Sequence, residues 1–187
     1  LHDALPIFNT ADFITKKSHF EVGAELLQQG KYKESSENFQ KALEESKKLL
    51  GENSFDLCPI YYFLGISYQH QGKIESYYEC YSKMLQISLK HHGEKHQYTA
   101  FAYMGLGMVY ETRGEFEEAL SYHKRALKIL QGMPEQAKEL TNCYASIGGI
   151  YHALGKFPEA LENLNKSLEL KKEHFGEDHM EIASSLF

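Results

Sequence analysis

Glycine recurs in this chain with a regularity that constrains its fold more than any other feature. Gly23, Gly65, Gly107 and Gly148 stand 42, 42 and 41 residues apart, and each is followed seven residues later by another glycine, Gly30, Gly72, Gly114 and Gly155. Self-similarity at such a period marks a linear array of supersecondary units, each burying its apolar face only against its neighbours. The segments LGISYQHQGKIESYYECYSKML, GLGMVYETRGEFEEALSYHKRAL and IGGIYHALGKFPEALENLNKSL carry the same frame. A Gly-Glu pair recurs at Gly51-Glu52, Gly93-Glu94 and Gly176-Glu177, while the third copy has Gly132-Met133-Pro134 and one residue fewer.

Each glycine has a physical reason. The later one ends a helical periodicity and is followed by one residue and then Tyr32, Ile74, Phe116 or Phe157, as expected for a left-handed C-terminal cap, where a Cβ is penalised. The earlier one falls in mid-helix, where glycine costs about 1 kcal/mol relative to alanine, so two helices are expected to cross there too closely for a side chain. Leu26, Tyr68, Tyr110 and Tyr151 share its helical face and are expected to be buried. In the second helix of each copy, Ser35, Phe39 and Ala42, then Tyr77, Tyr81 and Met84, then Ala119, His123 and Ala126, then Ala160, Leu164 and Ser167, recur at helical spacing and are expected to form the layer between helices. The exposed face of the first of these helices carries Lys33, Glu34, Glu37, Lys41, Glu44, Glu45 and Lys48.

The pattern predicts helices over 16–29, 32–50, 57–71, 74–91, 97–113, 116–131, 135–154 and 157–174, with a further one from 179. Pro59, Pro134 and Pro158 fall in linkers or first helical turns, where the missing N–H is harmless. Leu1 to Ile7 (LHDALPI) reads as the translation of a sequencing adapter and is set aside, with 8–17 as a lead-in. The chain is read as an internal fragment whose repeats span about 16–56, 57–96, 97–134 and 135–178, plus a partial fifth over 179–187.

The order glycine, aromatic, glycine, aromatic, small, aromatic, small resembles the tetratricopeptide repeat, from about Ser18 to Phe187. The 42-residue period and the HGEKH and FGEDH linkers are similar to the longer subtype found in kinesin light chains. The resemblance implies an all-α, right-handed superhelical solenoid of antiparallel helix hairpins whose first helices line a concave surface that clamps a peptide or a partner protein. Carried over by frame, that surface takes Phe20, Tyr62, Phe63, Ile66, Gln69, Met104, Met108, Glu111 and His152, and runs from aromatic to small along the array. Its apolar members form a stripe of aromatic and methionine side chains suited to a partner with apolar anchor residues. Glu21, Phe63, Gly105 and Ser146 stand where the family often has an asparagine, and the lysine and asparagine set of a carboxylate clamp is missing.

The remaining chemistry reads as structural. A net charge of −6 offers no general basic surface for nucleic acid or an anionic membrane, and no apolar run reaches the roughly 20 residues of a membrane span. Cys58, Cys80 and Cys143 are odd in number and lack a CxxC pair, which fits a reducing, cytoplasmic compartment. His91, His92 and His96 lie close together, but no second ligand pair accompanies them and His174 and His179 repeat the placing, as a linker motif would. Gly105-Leu106-Gly107 follows a helical run and lacks a third glycine, so it is no dinucleotide loop. The expectation is a binding scaffold with no catalytic activity, cofactor or metal. The alternatives are a regulatory, ligand-sensing region of a larger signalling or enzymatic protein, and an array whose open ends stack on other copies.

Overall fold

The computed structural model describes residues 17–175, which are helical throughout apart from short turns. Eight helices follow in order: α1 His19–Gln28, α2 Tyr32–Leu50, α3 Cys58–His70, α4 Ile74–His92, α5 Gln97–Arg113, α6 Phe116–Leu130, α7 Ala137–Ala153 and α8 Phe157–Phe175. Short 3-10 turns, Phe55–Leu57, Gly93–Lys95 and Pro134–Gln136, join one hairpin to the next. The helix bounds expected from the glycine frame hold to within about three residues. The adapter-like stretch, most of the lead-in and the partial fifth repeat lie outside the described residues.

Each hairpin turns on the later glycine by one hydrogen-bond pattern. Gly30, Gly72, Gly114 and Gly155 have φ of 72°, 69°, 75° and 72°. The N–H after each, on Lys31, Lys73, Glu115 or Lys156, donates to the carbonyl of Leu26, Tyr68, Tyr110 or Tyr151 at 2.8–3.0 Å. That is the 6→1 bond of a Schellman cap, which satisfies carbonyls orphaned at the helix end and aims the chain back antiparallel. α1 is fixed at its start by a capping box, in which Ser18 Oγ accepts from the Glu21 N–H at 3.2 Å and Glu21 Oε2 accepts from the Ser18 N–H at 2.8 Å.

The mid-helix glycines set how closely paired helices approach. A Cβ built on Gly23 would meet Phe39 at 3.0 Å, on Gly65 Tyr81 at 2.9 Å, on Gly107 His123 at 2.6 Å and on Gly148 Leu164 at 2.7 Å. In every copy the side chain that fills the space lies sixteen residues after the glycine. The recurrent glycine and the large second-helix residue are thus two halves of one contact. Gly105 does a different job. Its missing Cβ leaves room for Tyr81 of the preceding hairpin, whose ring lies between Gly65 of α3 and Gly105 of α5.

Consecutive helices pack along the whole array, and the first helices α1, α3, α5 and α7 also touch their successors. The result is an all-α solenoid with the first helices gathered on one side. One apolar cluster runs from Phe39 to Val109 and a second, around Ala100, Tyr103, Leu130 and Ile147, continues it. Hairpins are also tied by buried polar contacts: Ser35 Oγ donates to the Gly23 carbonyl at 2.9 Å and lies 3.0 Å from Ser67 Oγ in the next hairpin.

One packing expectation needs correction, and the last copy differs from the others. Leu164 lies against Gly148 in the layer between α7 and α8 as expected, yet 43% of it is exposed, and Phe157 and Leu161 on the same helix are exposed too. Its counterparts are enclosed by the following hairpin, Tyr81 by Gly105 and Phe39 by Phe63, and no described helix stands beyond α8. Among Leu26, Tyr68, Tyr110 and Tyr151 only Tyr68 is fully buried. The others are half-buried, and Tyr110 stacks on Tyr122 with ring centroids 5.2 Å apart.

Candidate functional site

A concave cavity of about 440 Å³ opens between the first helices α3, α5 and α7. Its apolar wall is Tyr62 and Ile66 from α3 with Phe101, Met104 and Met108 from α5, and Tyr81 of α4 reaches it beside Gly105. The facing wall, from α7, is small and polar: Lys138, Glu139, Asn142, Ala145 and Ser146. Residues 101, 104, 105 and 108 follow helical spacing on one face of α5, and 138, 142, 145 and 146 do the same on α7.

Second helices hold this wall in place. The hydroxyl of Tyr77, whose body is buried, donates to the Met108 carbonyl at 3.2 Å and lies 3.2 Å from Thr112 Oγ1. Tyr62 leans on Phe101 at 5.3 Å between centroids. Gln69 Nε2 lies 3.9 Å from the Met108 sulfur, a weak contact across two hairpins. Burial first, and the nearby Glu139 carboxylate second, push the Tyr62 hydroxyl above its ordinary value, so it stays protonated, a hydrogen-bond donor at neutral pH.

Of the residues carried over by frame, Tyr62, Ile66, Gln69, Met104 and Met108 come together at this cavity. The other four lie elsewhere. Phe20 and Phe63 pack edge-on to each other at 5.7 Å, and both pack on buried Phe39, at 5.5 and 5.8 Å, so they join the first two hairpins instead of facing the cavity. Glu111 turns to its own second helix, where its Oε1 lies 2.5 Å from Nε2 of the fully buried His123. His152, exposed at the fourth hairpin turn, packs on Phe157 at 5.6 Å. Phe101, Lys138, Glu139 and Asn142 lie outside the expected set because that frame begins three residues before each mid-helix glycine, whereas these stand six to ten residues before Gly107 or Gly148. Stepping one or two helical turns toward the N-terminus from Met104 and Ser146 finds them.

A larger hollow, about 780 Å³, lies between second helices α2 and α4. Glu44, Lys47, Glu79, Lys83 and Gln86 rim it, and long solvated charges of both signs make it the poorer seat for an apolar anchor. Among the described residues no group of histidine, cysteine and acidic side chains could hold a metal ion, and no helix is long and apolar enough to cross a membrane.

Tetratricopeptide repeat models match residues 56–132, and residues 22–56 together with 140–181. Among solved structures, BtubC (BKLC) from P. vanneervenii superposes with a TM-score of 0.74 at 22% identity over 86% of this chain and 65% of its own. This chain therefore spans slightly less than two thirds of that protein. The kinesin light chain nearly identical TPR-like repeats of Podosopora anserina give a TM-score of 0.71 at 18% identity, covering 90% of this chain and 80% of that one. MamA gives 0.59 at 20% identity, covering 91% and 80%. No curated protein sequence matches significantly. These likenesses carry the fold alone, but the repeat models cover nearly all the described helices, so with the sixteen-residue contact and the glycine-capped hairpins the chain belongs to the tetratricopeptide repeat family.

Proposed function

We propose that this chain is a docking module that takes an apolar segment of a peptide or partner protein in the cavity between α3, α5 and α7. Tetratricopeptide repeats are generally protein-interaction scaffolds, typically non-catalytic. The observation that carries it is the convergence of Tyr62, Ile66, Phe101, Met104 and Met108 on one half-open concavity faced by small and polar residues. Apolar and aromatic walls supply burial at about 25 cal/mol per Å² of ligand surface, and methionine adapts its shape to different anchors. Lys138, Glu139, Asn142 and Gln69 at the rim supply the few directed polar contacts that fix orientation in such sites. Three unpaired cysteines suit a reducing, cytoplasmic setting for this role.

The test is selection of peptides by the immobilised chain from a random display library, followed by affinity measurement on the selected sequences. Met104→Ala with Met108→Ala should weaken binding by about tenfold or more, the equivalent of roughly 1.4 kcal/mol, with the helical circular dichroism unchanged. Lys41→Ala, on the charged outer face, should leave affinity as it was. Selected peptides that bind the double variant as tightly as the parent would exclude this cavity as the docking site.

A further inference from the structure

On the edge of the array where the first three hairpins meet, four rings gather round Phe55. Its centroid lies 4.1 Å from that of His92, 5.0 Å from His96, 5.7 Å from Tyr98 and 6.1 Å from His91. The rings of His92 and His96 stack at 4.7 Å. They come from opposite helix ends, since His92 is the last residue of α4 and His96 is the N-cap of α5. His96 caps in an uncommon way, through its Nδ1, which accepts from the Tyr98 N–H at 3.2 Å. A ring nitrogen that accepts a hydrogen bond has its lone pair free, so this cap exists only while His96 is neutral.

The surroundings offer an imidazolium no partner. Of the acids on the flanking turns, Glu94 is held by Arg125 at 3.1 Å and by the Tyr103 hydroxyl at 3.2 Å, and Asp56 accepts from Ser54. Glu52, Lys90 and Lys95 are the other charged groups of these turns and the helix end. None of the three imidazoles forms an ion pair among the described residues, and His91 Nε2 lies 2.9 Å from the Asn53 carbonyl instead. A charge at the start of α5 would also face the positive end of the helix dipole. From this joint a chain of ring contacts leads to the cavity: His96 to Tyr98 at 5.6 Å, Tyr98 to Phe101 at 6.1 Å and Phe101 to Tyr62 at 5.3 Å.

We propose that the Phe55–His92–His96 joint is a proton-operated latch: protonation of His96 removes the cap from α5, loosens its first turn and displaces the Phe101 wall of the cavity. Its effect on binding rests on the docking site proposed above, whereas the loss of the cap does not. Burial, and then the neighbouring His92, hold the His96 imidazole below its ordinary value of 6.5. The unfolded first turn therefore binds the proton more readily than the capped one. Acidification from 6.5 downward drives uncapping, and the cap is intact above that value.

The experiment follows the His96 ring and the Tyr98 amide by NMR between pH 7.5 and 5. Exchange protection of the Tyr98 amide, corrected for the intrinsic rate, should fall roughly fivefold across that range in the parent, as loss of an N-cap implies. In His96→Asn, where a non-titrating side chain can cap in its place, it should stay level. The chain has no tryptophan, so Phe101→Trp gives a single reporter at the cavity. Its emission should shift over the same pH range, and should not shift when His96→Asn is added. A His96 ring that titrates at or above 6.5, or equal loss of protection in His96→Asn, would overturn the latch. Loss of protection with steady tryptophan emission would overturn its link to the cavity. If peptide binding proves insensitive to Met104 and Met108 while the cap still titrates, the docking site is wrong and the latch stands.

Discussion

The ring of Tyr81 lies against the bare backbone of Gly105, where a Cβ would come within 2.4 Å of it. Tyr81 is buried and would also come within 2.9 Å of a Cβ on Gly65, so it cannot retreat from either side. Gly105→Ala gains about 1 kcal/mol of helix propensity but forces overpacking, which costs roughly 1–3 kcal/mol. With the ring confined on both faces the strain should prevail, and the net effect should be a loss of up to about 2 kcal/mol in urea unfolding. Gly149, one turn from the other end of the cavity, has open space around its would-be Cβ. Gly149→Ala should therefore stabilise, by up to about 1 kcal/mol. The opposite signs of these two substitutions, read from denaturation midpoints, check the close-approach argument directly.

His123 occupies in the third hairpin the place that Phe39 holds in the first. Its Nδ1 has no hydrogen-bond partner and its Nε2 relies on Glu111. Glu111→Ala should strand both nitrogens in the core at a loss of roughly 1–3 kcal/mol. His123→Phe removes the need for a partner and leaves Glu111, which is partly exposed, free to be hydrated. Chemical denaturation should find His123→Phe at least as stable as the parent, and certainly more stable than Glu111→Ala.

Cys58, Cys80 and Cys143 are buried and unpaired. Burial pushes each thiol from an ordinary value of 9.0 up to about 12, which at pH 8 lowers the reactive thiolate population roughly a thousandfold. A colourless-to-coloured thiol reagent should label almost nothing in the folded chain and three groups per chain in denaturant. Rapid labelling of any one under native conditions would show that its hairpin opens locally.

The capping box on α1 makes its own pH prediction. Hydrogen bonds from the Ser18 backbone, then from its side chain, with Lys17 nearby, hold the Glu21 carboxyl below its ordinary value of 4.5. The folded form thus gives up its proton more readily than the unfolded one. The stabilisation is present above 4.5 and is lost as pH falls through the lower, folded value. Amide exchange in α1 should accelerate in that acid window, and Glu21→Gln, which keeps a capping acceptor, should remove the pH dependence.

The helix frame was legible because it rests on backbone rules. A left-handed cap at Gly30 or Gly72 and close approach at Gly23 or Gly65 each demand the one residue without a Cβ, so the demand shows in the letters. The cavity was only half legible. Tyr62 and Phe63 are neighbours on one helix, about 100° apart in direction, and nothing local says which faces the cavity and which faces Phe39. That depends on where α1 and α5 stand beside α3. The sequence likewise marks Gly105 as standing where the family often has an asparagine, and leaves unseen that it makes room for Tyr81 from the previous hairpin.

What the amino-acid sequence by itself determined was the unit: two antiparallel helices, their caps, their close crossing at the mid-helix glycine and their obligatory stacking, since each follows from spacing and steric exclusion within some forty residues. What only the tertiary structure decided was the surface. Which side chains reach the concave wall, which histidine caps a helix and which carboxylate answers a buried imidazole are set by distances between hairpins. Those distances come from how bulky side chains of one copy seat on the next, a property that one repeat's pattern does not contain.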